Sequence, residues 1–567
     1  MTSLVELRVL EGPNLYFPRA AIKLTLDISL LAGLPEERAV RFAQRIGLRN
    51  ARPGAPDTGF RQRFAARAVA RLVRAVATES GTKRLAVRVR TTSDPRELVV
   101  AYPWRRRGRA QALGRAVSDV LDGLATADVE GLVGQAAREV GESEPGALPR
   151  TITPRIPVVA VTGTNGKTTT SRMIAHIARA DGRLVGWSNT DGIYVDGELV
   201  EAGDYSGPSG AGRVLAHPEV ELAVTETARG GILLKGIGLT HNDVSVVTNV
   251  SADHLGLHGI DTVDQLAEVK GVVPRITRSG GWPVLNADDP RVLAMRPTIV
   301  AQPWLFSRDP DSPAVREALS TGGRATTVID GWICVLTPGS DPLPLLELVE
   351  VPMTLAGLSR FNVENALAAA SAALAVGIGH DVVVAGLRSF RPDPEHNPGR
   401  MNCFSLGDGV TVVVDLAHNE AGLEAMLEVM GGIRPPGSRT LLALGAVGDR
   451  QDDLVDQLGE IGARDADVVV IAHKERYLRG RTVEELDALL RAGAARVGVT
   501  DVPSYPTEVD GLAALVSQAA PGDVVGLMCH ADRQGVYDWI AAHGGSSDSP
   551  DVLRDKVRAA QASLAGE

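Results

Sequence analysis

The chain has 567 residues, 44% of them hydrophobic and 23% charged, with a mean hydropathy near zero. That length exceeds what a single core organises, so three or four globular domains are expected, and disordered or fibrous classes are excluded. The net charge of −10 hides an asymmetry: residues 1–150 hold 25 Lys+Arg against 16 Asp+Glu, a surplus of +9 over a remainder at −19.

Met1–Asn14 lacks a basic segment followed by an apolar stretch, and no apolar run reaches membrane-spanning length. A cytoplasmic location without a membrane partner is therefore expected. Cys334, Cys403 and Cys529 lie far apart with no Cys-x-x-Cys pair, which favours buried thiols over disulfides or zinc.

In chain order, a strand-like stretch around Val5 ends at Glu11-Gly12-Pro13-Asn14. A helix is predicted over Arg61–Ala77, strands at Leu85–Arg90 and Leu98–Ala101, and a helix over Ala110–Ala125. This reads as a small α+β domain, residues 1–150. Its basic surplus, densest at Arg105-Arg106-Arg107-Gly108-Arg109, points to an anionic ligand or to docking on the acidic body; a solvated arginine face fits equally. The cluster is single and has only Tyr102 and Trp104 beside it, so nucleic acid is not expected as a partner. Gly141–Pro157, rich in Gly, Glu and Pro, reads as a linker.

From residue 151 to 398, short apolar strands alternate with helices: Pro157–Val161, Leu184–Trp187, Leu222–Val224, Val244–Thr248, Pro283–Leu285 and Trp304–Phe306. Asn362–Gly377 and Val382–Phe390 are helical. A third unit, 399–567, has strands at Val410–Leu416, Thr440–Leu444, Asp467–Ile471 and Asp523–Leu527, and its last dozen residues read as a helix. The expected class is α/β: a P-loop central domain with a mainly parallel sheet, a second α/β domain at the C-terminus, and the α+β unit before them.

Val161-Thr-Gly-Thr-Asn-Gly-Lys-Thr-Thr-Thr170 lies between the apolar run Ile156–Ala160 and a helical pattern at Ser171–Ala180. Gly163 and Gly166 let the backbone curl so that N–H groups face phosphate oxygens, at a helix N-terminus that favours negative charge. Thr164, Asn165 and Thr169 complete the loop. Lys167 supplies a cation for the outer phosphates, and the Thr168 hydroxyl is an Mg²⁺ ligand. The Gly-x-x-Gly-Lys-Thr spacing is two residues shorter than the general pattern, and its strand–loop–helix setting points to ATP. Further candidates sit at strand ends, where open α/β sheets bind ligands: Glu226, Thr248-Asn249, Asp253-His254 and, on the next helix, Lys270. A carboxylate, an imidazole and a lysine beside a P-loop suggest metal-assisted phosphoryl chemistry.

These segments resemble the Mur ligases, and most of all the Mur-like half of the cyanophycin synthetases. The resemblance runs through Thr190-Asp191-Gly192, Thr225–Gly231, Asp253–Gly256, Leu285–Asp289, Phe361–Ala366, Asn397–Asn402, Asp415–Asn419, Gly448-Asp449-Arg450 and Leu478–Arg481. It covers about residues 157–530, and Glu11–Asn14 resembles the synthetases' amino-terminal domain more weakly. The resemblance implies that ATP phosphorylates a carboxylate and that an amine attacks the acyl phosphate to give an amide. By motif, Lys167 steadies the transferred phosphoryl group, Thr168 and Glu226 hold a first Mg²⁺, and His254 serves a second with Lys270, carbamylated as in Mur ligases. Asn362 and Asn365 read adenine, Arg400 reaches the phosphates, and Asp415 holds the ribose. Thr190, Asp191 and Arg229 are acceptor-site candidates.

The chain departs from the pattern in one missing region and three local motifs. Residues 150–157 leave no room for the ATP-grasp region of cyanophycin synthetases, which implies that one of their two additions is absent. His-Asn-Pro becomes His418-Asn419-Glu420, Gly-His becomes Arg360-Phe361, and Asn189 replaces a Thr or Ser. No phosphate or metal ligand is lost. The expectation is an ATP- and Mg²⁺-dependent carboxylate–amine ligase joining an amino acid or amine to a peptide-like carboxylate acceptor; a homo-oligomer is compatible with it. The alternatives are a cell-wall precursor or polyglutamate-type ligase, and a non-catalytic ATP-binding scaffold.

Overall fold

A computed structural model describes residues 2–49, 51–56, 58–126 and 128–564. Three sheets follow one another along the chain. The first is antiparallel, in the spatial order Leu4–Leu10, Ala21–Asp27, Glu97–Pro103, Arg88–Thr91. Its central strand Ala21–Asp27 lies outside the expected elements, although Ile22, Leu24 and Leu26 alternate onto the helix-covered core and Lys23 and Thr25 onto the other face. Helices Gly59–Glu79, Arg107–Gly123 and Val129–Glu142 cover it; the last was also unexpected, and it shortens the linker.

The second sheet has eleven strands. Its middle is parallel: Arg324–Ile329, Trp304–Phe306, Thr277–Asn286, Asn242–Val247, Val158–Thr162, Leu222–Glu226, Val185–Ser188. Antiparallel hairpins extend both edges. Strands Val158–Thr162, Leu222–Glu226, Val185–Ser188 and Trp304–Phe306 are buried on both faces, which is why they read as apolar runs. The third sheet runs Ser504–Tyr505, Val468–Ala472, Thr440–Leu444, Val524–Met528, Thr411–Asp415, then antiparallel Asn402–Ser405 and Ser546–Ser547. Helix Pro550–Leu564 closes the chain; residues 565–567 of the expected terminal helix lie outside the described residues.

Cys334, Cys403 and Cys529 are free and buried. Among the described residues no helix is long and apolar enough to cross a membrane. The first unit does dock on the second, but through Glu11–Asn14 and not through its arginine cluster. Glu11 N–H donates to the Lys235 carbonyl at 2.6 Å, and Ile237 N–H to the Pro13 carbonyl at 2.8 Å. Asn14 is buried and holds this turn, donating to the Gly12 and Arg19 carbonyls and accepting from Tyr16 and Phe17 N–H. Gly12 stands at φ +74°, against Thr151 and the Gly238 backbone, where a side chain would be strained and crowded.

Candidate active site

Strand Val158–Thr162 delivers the chain to the loop, and the helix begins at Lys167, earlier than the expected Ser171. The loop's Gly-Lys-Thr-Thr is thus the helix's first turn, whose N–H groups precede the first intrahelical bond from Thr170 N–H to Gly166 O. A Cβ on Gly163 would stand 1.9 Å from Thr248 Oγ1, and one on Gly166 2.2 Å from Asn365 Oδ1, so neither position admits a side chain. Thr248 Oγ1 donates to the Asn165 carbonyl at 2.6 Å, and Asn249 Oδ1 accepts from Asn165 N–H at 2.9 Å. Thr164 N–H donates to Asn249 O at 2.8 Å. Lys167 Nζ folds back on the Thr164 carbonyl at 2.8 Å.

Glu226 ends the strand paired beside Val158–Thr162. Thr168 Oγ1 donates to its Oε2 at 2.8 Å, while its Oε1 is buried with no hydrogen-bond partner. Burial raises the Glu226 carboxyl pKa, and Lys167 opposes the shift. A buried, unpartnered carboxylate oxygen beside a hydroxyl is a donor set suited to a hard divalent cation such as Mg²⁺. Thr190 Oγ1 lies 3.5 Å from Thr168 Oγ1.

Lys270 is the last residue of helix Val263–Lys270, only 3% exposed, and its Nζ donates to the Gly163 carbonyl. Burial first, then the neighbouring Lys167, holds its pKa well below that of an ordinary lysine. His254 is turned elsewhere. Its backbone is left-handed (φ +50°), and Nδ1 lies 3.3 Å from Asp449 Oδ2 in the third unit. Burial would raise the Asp449 carboxyl, but His254, Arg479 and Arg450 bring it down to about 2. Among the described residues no three His, Cys, Asp or Glu side chains converge as a metal cluster.

Asn362 and Asn365 are buried in the first two turns of helix Arg360–Ala375. Asn365 Nδ2 donates to Asn362 Oδ1 at 3.0 Å, and Thr170 Oγ1 to Asn365 Oδ1 at 3.2 Å. Across the cleft, Asp415 ends its strand and accepts Met401 N–H at 2.7 Å. Burial pushes its pKa up to about 6 against the pull of Arg400. The loop from Thr164 to Thr169, Asn362, Asn365, Arg400, Asp415 and His418 line one cleft, whose cavity is about 110 Å³.

Pairings that the sequence did not reveal hold these units together. Arg450 pairs with Asp253, whose carboxyl falls well below its usual range despite burial. Asn165 and Asn419 exchange amide hydrogen bonds of 3.3 and 3.1 Å. Asp191 is gripped on one oxygen by Arg172 at 2.5 Å and on the other by Arg533 at 3.1 Å, which makes it a domain tie in this structure. Arg533 opens helix Arg533–Ala542, and the turn before it is fixed by Glu508, which accepts the N–H groups of His530, Ala531 and Asp532. Arg229 lies near Asp253 and Asp449 with a buried Nη1 that has no partner. The three departures have local roles. Glu420 opens helix Glu420–Ile433, which Asn419 caps through Gly422 N–H, Arg360 pairs with Glu428, and Asn189 accepts Asp191 and Gly192 N–H.

The chain belongs to the Mur ligase family: residues 161–373 match the Mur ligase middle domain and 399–529 the Mur ligase, glutamate ligase domain. Within the family it is similar to the cyanophycin synthetase of Crocosphaera subtropica, 44% identical over 339 residues, 60% of this chain and 38% of that protein. The chain spans less than two fifths of the length of the cyanophycin synthetases it matches. The UDP-N-acetylmuramoyl-L-alanyl-D-glutamate--2,6-diaminopimelate ligase of Corynebacterium efficiens is 27% identical, over 72% of this chain and 75% of that one. The structure of E. coli FolC in complex with DHPP and ADP shares the fold, with a TM-score of 0.50 and 19% identity over 68% of this chain and 89% of that chain.

Proposed function

We propose that the chain is an ATP- and Mg²⁺-dependent carboxylate–amine ligase, with units 1–150, 151–398 and 399–567, that forms an amide through an acyl phosphate. The observation that carries this reading is the Thr168–Glu226 pair at the head of the loop, with its orphaned buried Oε1. Family membership and the similarity to enzymes named as ligases support it.

In this reading Lys167 leaves the Thr164 carbonyl to meet the transferred phosphoryl group. Glu226 and Thr168 would hold Mg²⁺, which supplies charge neutralisation when bound. Asn362 and Asn365 face adenine, Asp415 takes the ribose and Arg400 the phosphates. Closure of the third unit keeps water from the acyl phosphate, which would otherwise hydrolyse. Arg229, with its unpartnered guanidinium nitrogen, and Thr190 are placed toward the carboxylate acceptor; Asp191 reaches it only on leaving Arg172 and Arg533. The incoming amine gives up a proton as its nitrogen bonds to the acyl carbon and phosphate departs.

Lys270 fits carbamylation, because a depressed pKa keeps the amine neutral and nucleophilic. Its nitrogen bonds to CO₂ and loses a proton, giving an anionic carbamate that would serve a second Mg²⁺, with His254 joining it only on leaving Asp449. The mass-gain test pairs candidate carboxylates, including acidic peptides, with a panel of amino acids and ATP. Condensation, seen as the mass of both substrates less water, supports the ligase; no gain with any pair, beside intact ATP binding, favours a scaffold. Lys270→Ala should lose most activity and regain part of it with small carboxylates. Full activity in that variant would make Lys270 an ordinary buried lysine.

A further inference from the structure

The amino-terminal unit contains a cavity of about 430 Å³, well apart in sequence from the residues that line the nucleotide cleft. Six cationic side chains line it: Arg19, Lys83, Arg84, Arg105, Arg106 and Arg109. They come from separate stretches, with Arg19 standing just before strand Ala21–Asp27. The turn after helix Gly59–Glu79 brings Lys83 and Arg84, the end of strand Glu97–Pro103 leads into Arg105 and Arg106, and Arg109 stands in the first turn of helix Arg107–Gly123.

No carboxylate lines the cavity, and among the described residues none of the six cations forms an ion pair. Elsewhere in the same unit arginines do find partners, as Arg45 with Glu79 and Arg96 with Asp94. Six cations facing one concavity repel one another and favour an occupant of opposite sign. A merely solvated face would leave them pointing apart.

The floor says what kind of anion fits. Leu85, Leu113 and Val140 form an apolar base that a carbon skeleton can cover. Tyr102 and Trp104 are buried, with Tyr102 O–H donating to the Ala110 carbonyl at 2.8 Å and the Trp104 indole N–H to the Leu10 carbonyl at 3.3 Å. Both rings line the same floor as Leu113 and Val140. Guanidinium forks match carboxylates bidentately, and the volume holds a few residues and no more.

We propose that this basin is a second ligand site that binds a short acidic peptide, its carboxylates on the arginine rim and its backbone over the apolar floor. The proposal concerns binding alone and does not rest on the ligase reading. The test is fluorescence anisotropy of a labelled tetra-aspartate peptide with the full chain, in about 0.05 and about 0.15 M salt. Wild type should bind, more weakly at the higher salt. Lys83→Ala, Arg84→Ala and Arg106→Ala combined should raise the Kd at least tenfold with the thermal midpoint unchanged, since all three are exposed. Lys167→Ala should bind the peptide as wild type does, which separates this site from the cleft. Absence of binding by wild type, or an unchanged Kd in the triple variant, would overturn the proposal. So would tripolyphosphate or single-stranded DNA of equal charge binding more tightly than the peptide.

Discussion

The central cleft and the amino-terminal basin both carry cations, yet they treat charge in opposite ways. Around the cleft, charged contacts cross between the central and third units: Arg450 with Asp253, Arg533 with Asp191, and His254 facing Asp449. In the basin six cations face one space with no carboxylate among its lining residues. Paired charges fix a geometry and release it only at a cost, which suits a site that must close over a reactive intermediate. Unpaired, solvated charges attract ligand from a distance and impose little order, which suits capture. The two sites therefore divide into a machine that closes and a surface that gathers.

That contrast predicts where substitutions bite. The largest effect belongs to Lys167→Ala, because loss of a transition-state charge contact commonly costs about 10²-fold or more in rate. The protein should stay folded, its thermal midpoint little changed, since Lys167 caps a loop and supports no core. Most of the rate surviving, with normal ATP binding, would break the cleft half of the comparison.

Next comes Asp191→Asn, which removes the anion that Arg172 and Arg533 share. Small-angle scattering should show a larger radius of gyration than wild type in the absence of ligand, and turnover should fall roughly tenfold as closure weakens. A change confined to acceptor KM, with dimensions unaltered, would return Asp191 to the acceptor-binding role that its motif suggested.

A smaller effect follows from Asp415, whose pKa burial lifts to about 6. Below that pH the carboxyl is protonated and a poorer acceptor for ribose hydroxyls, so ATP KM should fall severalfold from pH 5 to 7. The sign for stability is the reverse, because a raised carboxyl pKa favours the folded state at low pH and that gain is lost as pH rises through about 6. Asp415→Asn should flatten the KM profile. A profile with the same midpoint in the variant would assign the titration to another group.

The smallest effect sharpens the contrast from the other side. Arg105→Ala, Arg106→Ala and Arg109→Ala together should leave ATP KM within about twofold, since exposed charges far from the cleft are screened at physiological salt. Acceptor KM should rise and lose its salt dependence if the acceptor carries acidic residues. A large change in ATP KM would mean that the two sites are one electrostatic unit.

The loop and the strand-end residues were legible because local sequence dictates them. Gly163 and Gly166 sit where a side chain would collide with Thr248 and Asn365, and the parallel strands announce themselves as apolar runs. Arg105, Arg106 and Arg109 were visible as a cluster, but Arg19, Lys83 and Arg84 join them only after the chain folds. The same holds for Arg450 meeting Asp253, 197 positions away, and for Arg533 meeting Asp191 across 342. Such pairings are set by how two domains seat on each other, and no periodicity or spacing encodes that. Strand Ala21–Asp27 is different: its alternation was there to be read, interrupted by the charge of Lys23, which turns out to pair with Glu6 on the neighbouring strand.

The central claim is that hydrolysis of ATP is tied to joining a carboxylate to an amine. Phosphate release, measured on the full chain with each substrate alone and with both together, tests this most directly. The account predicts little release with either substrate alone, and one phosphate per amide formed when both are present. Slow release indifferent to carboxylate and amine alike would contradict it and leave an ATP-binding scaffold.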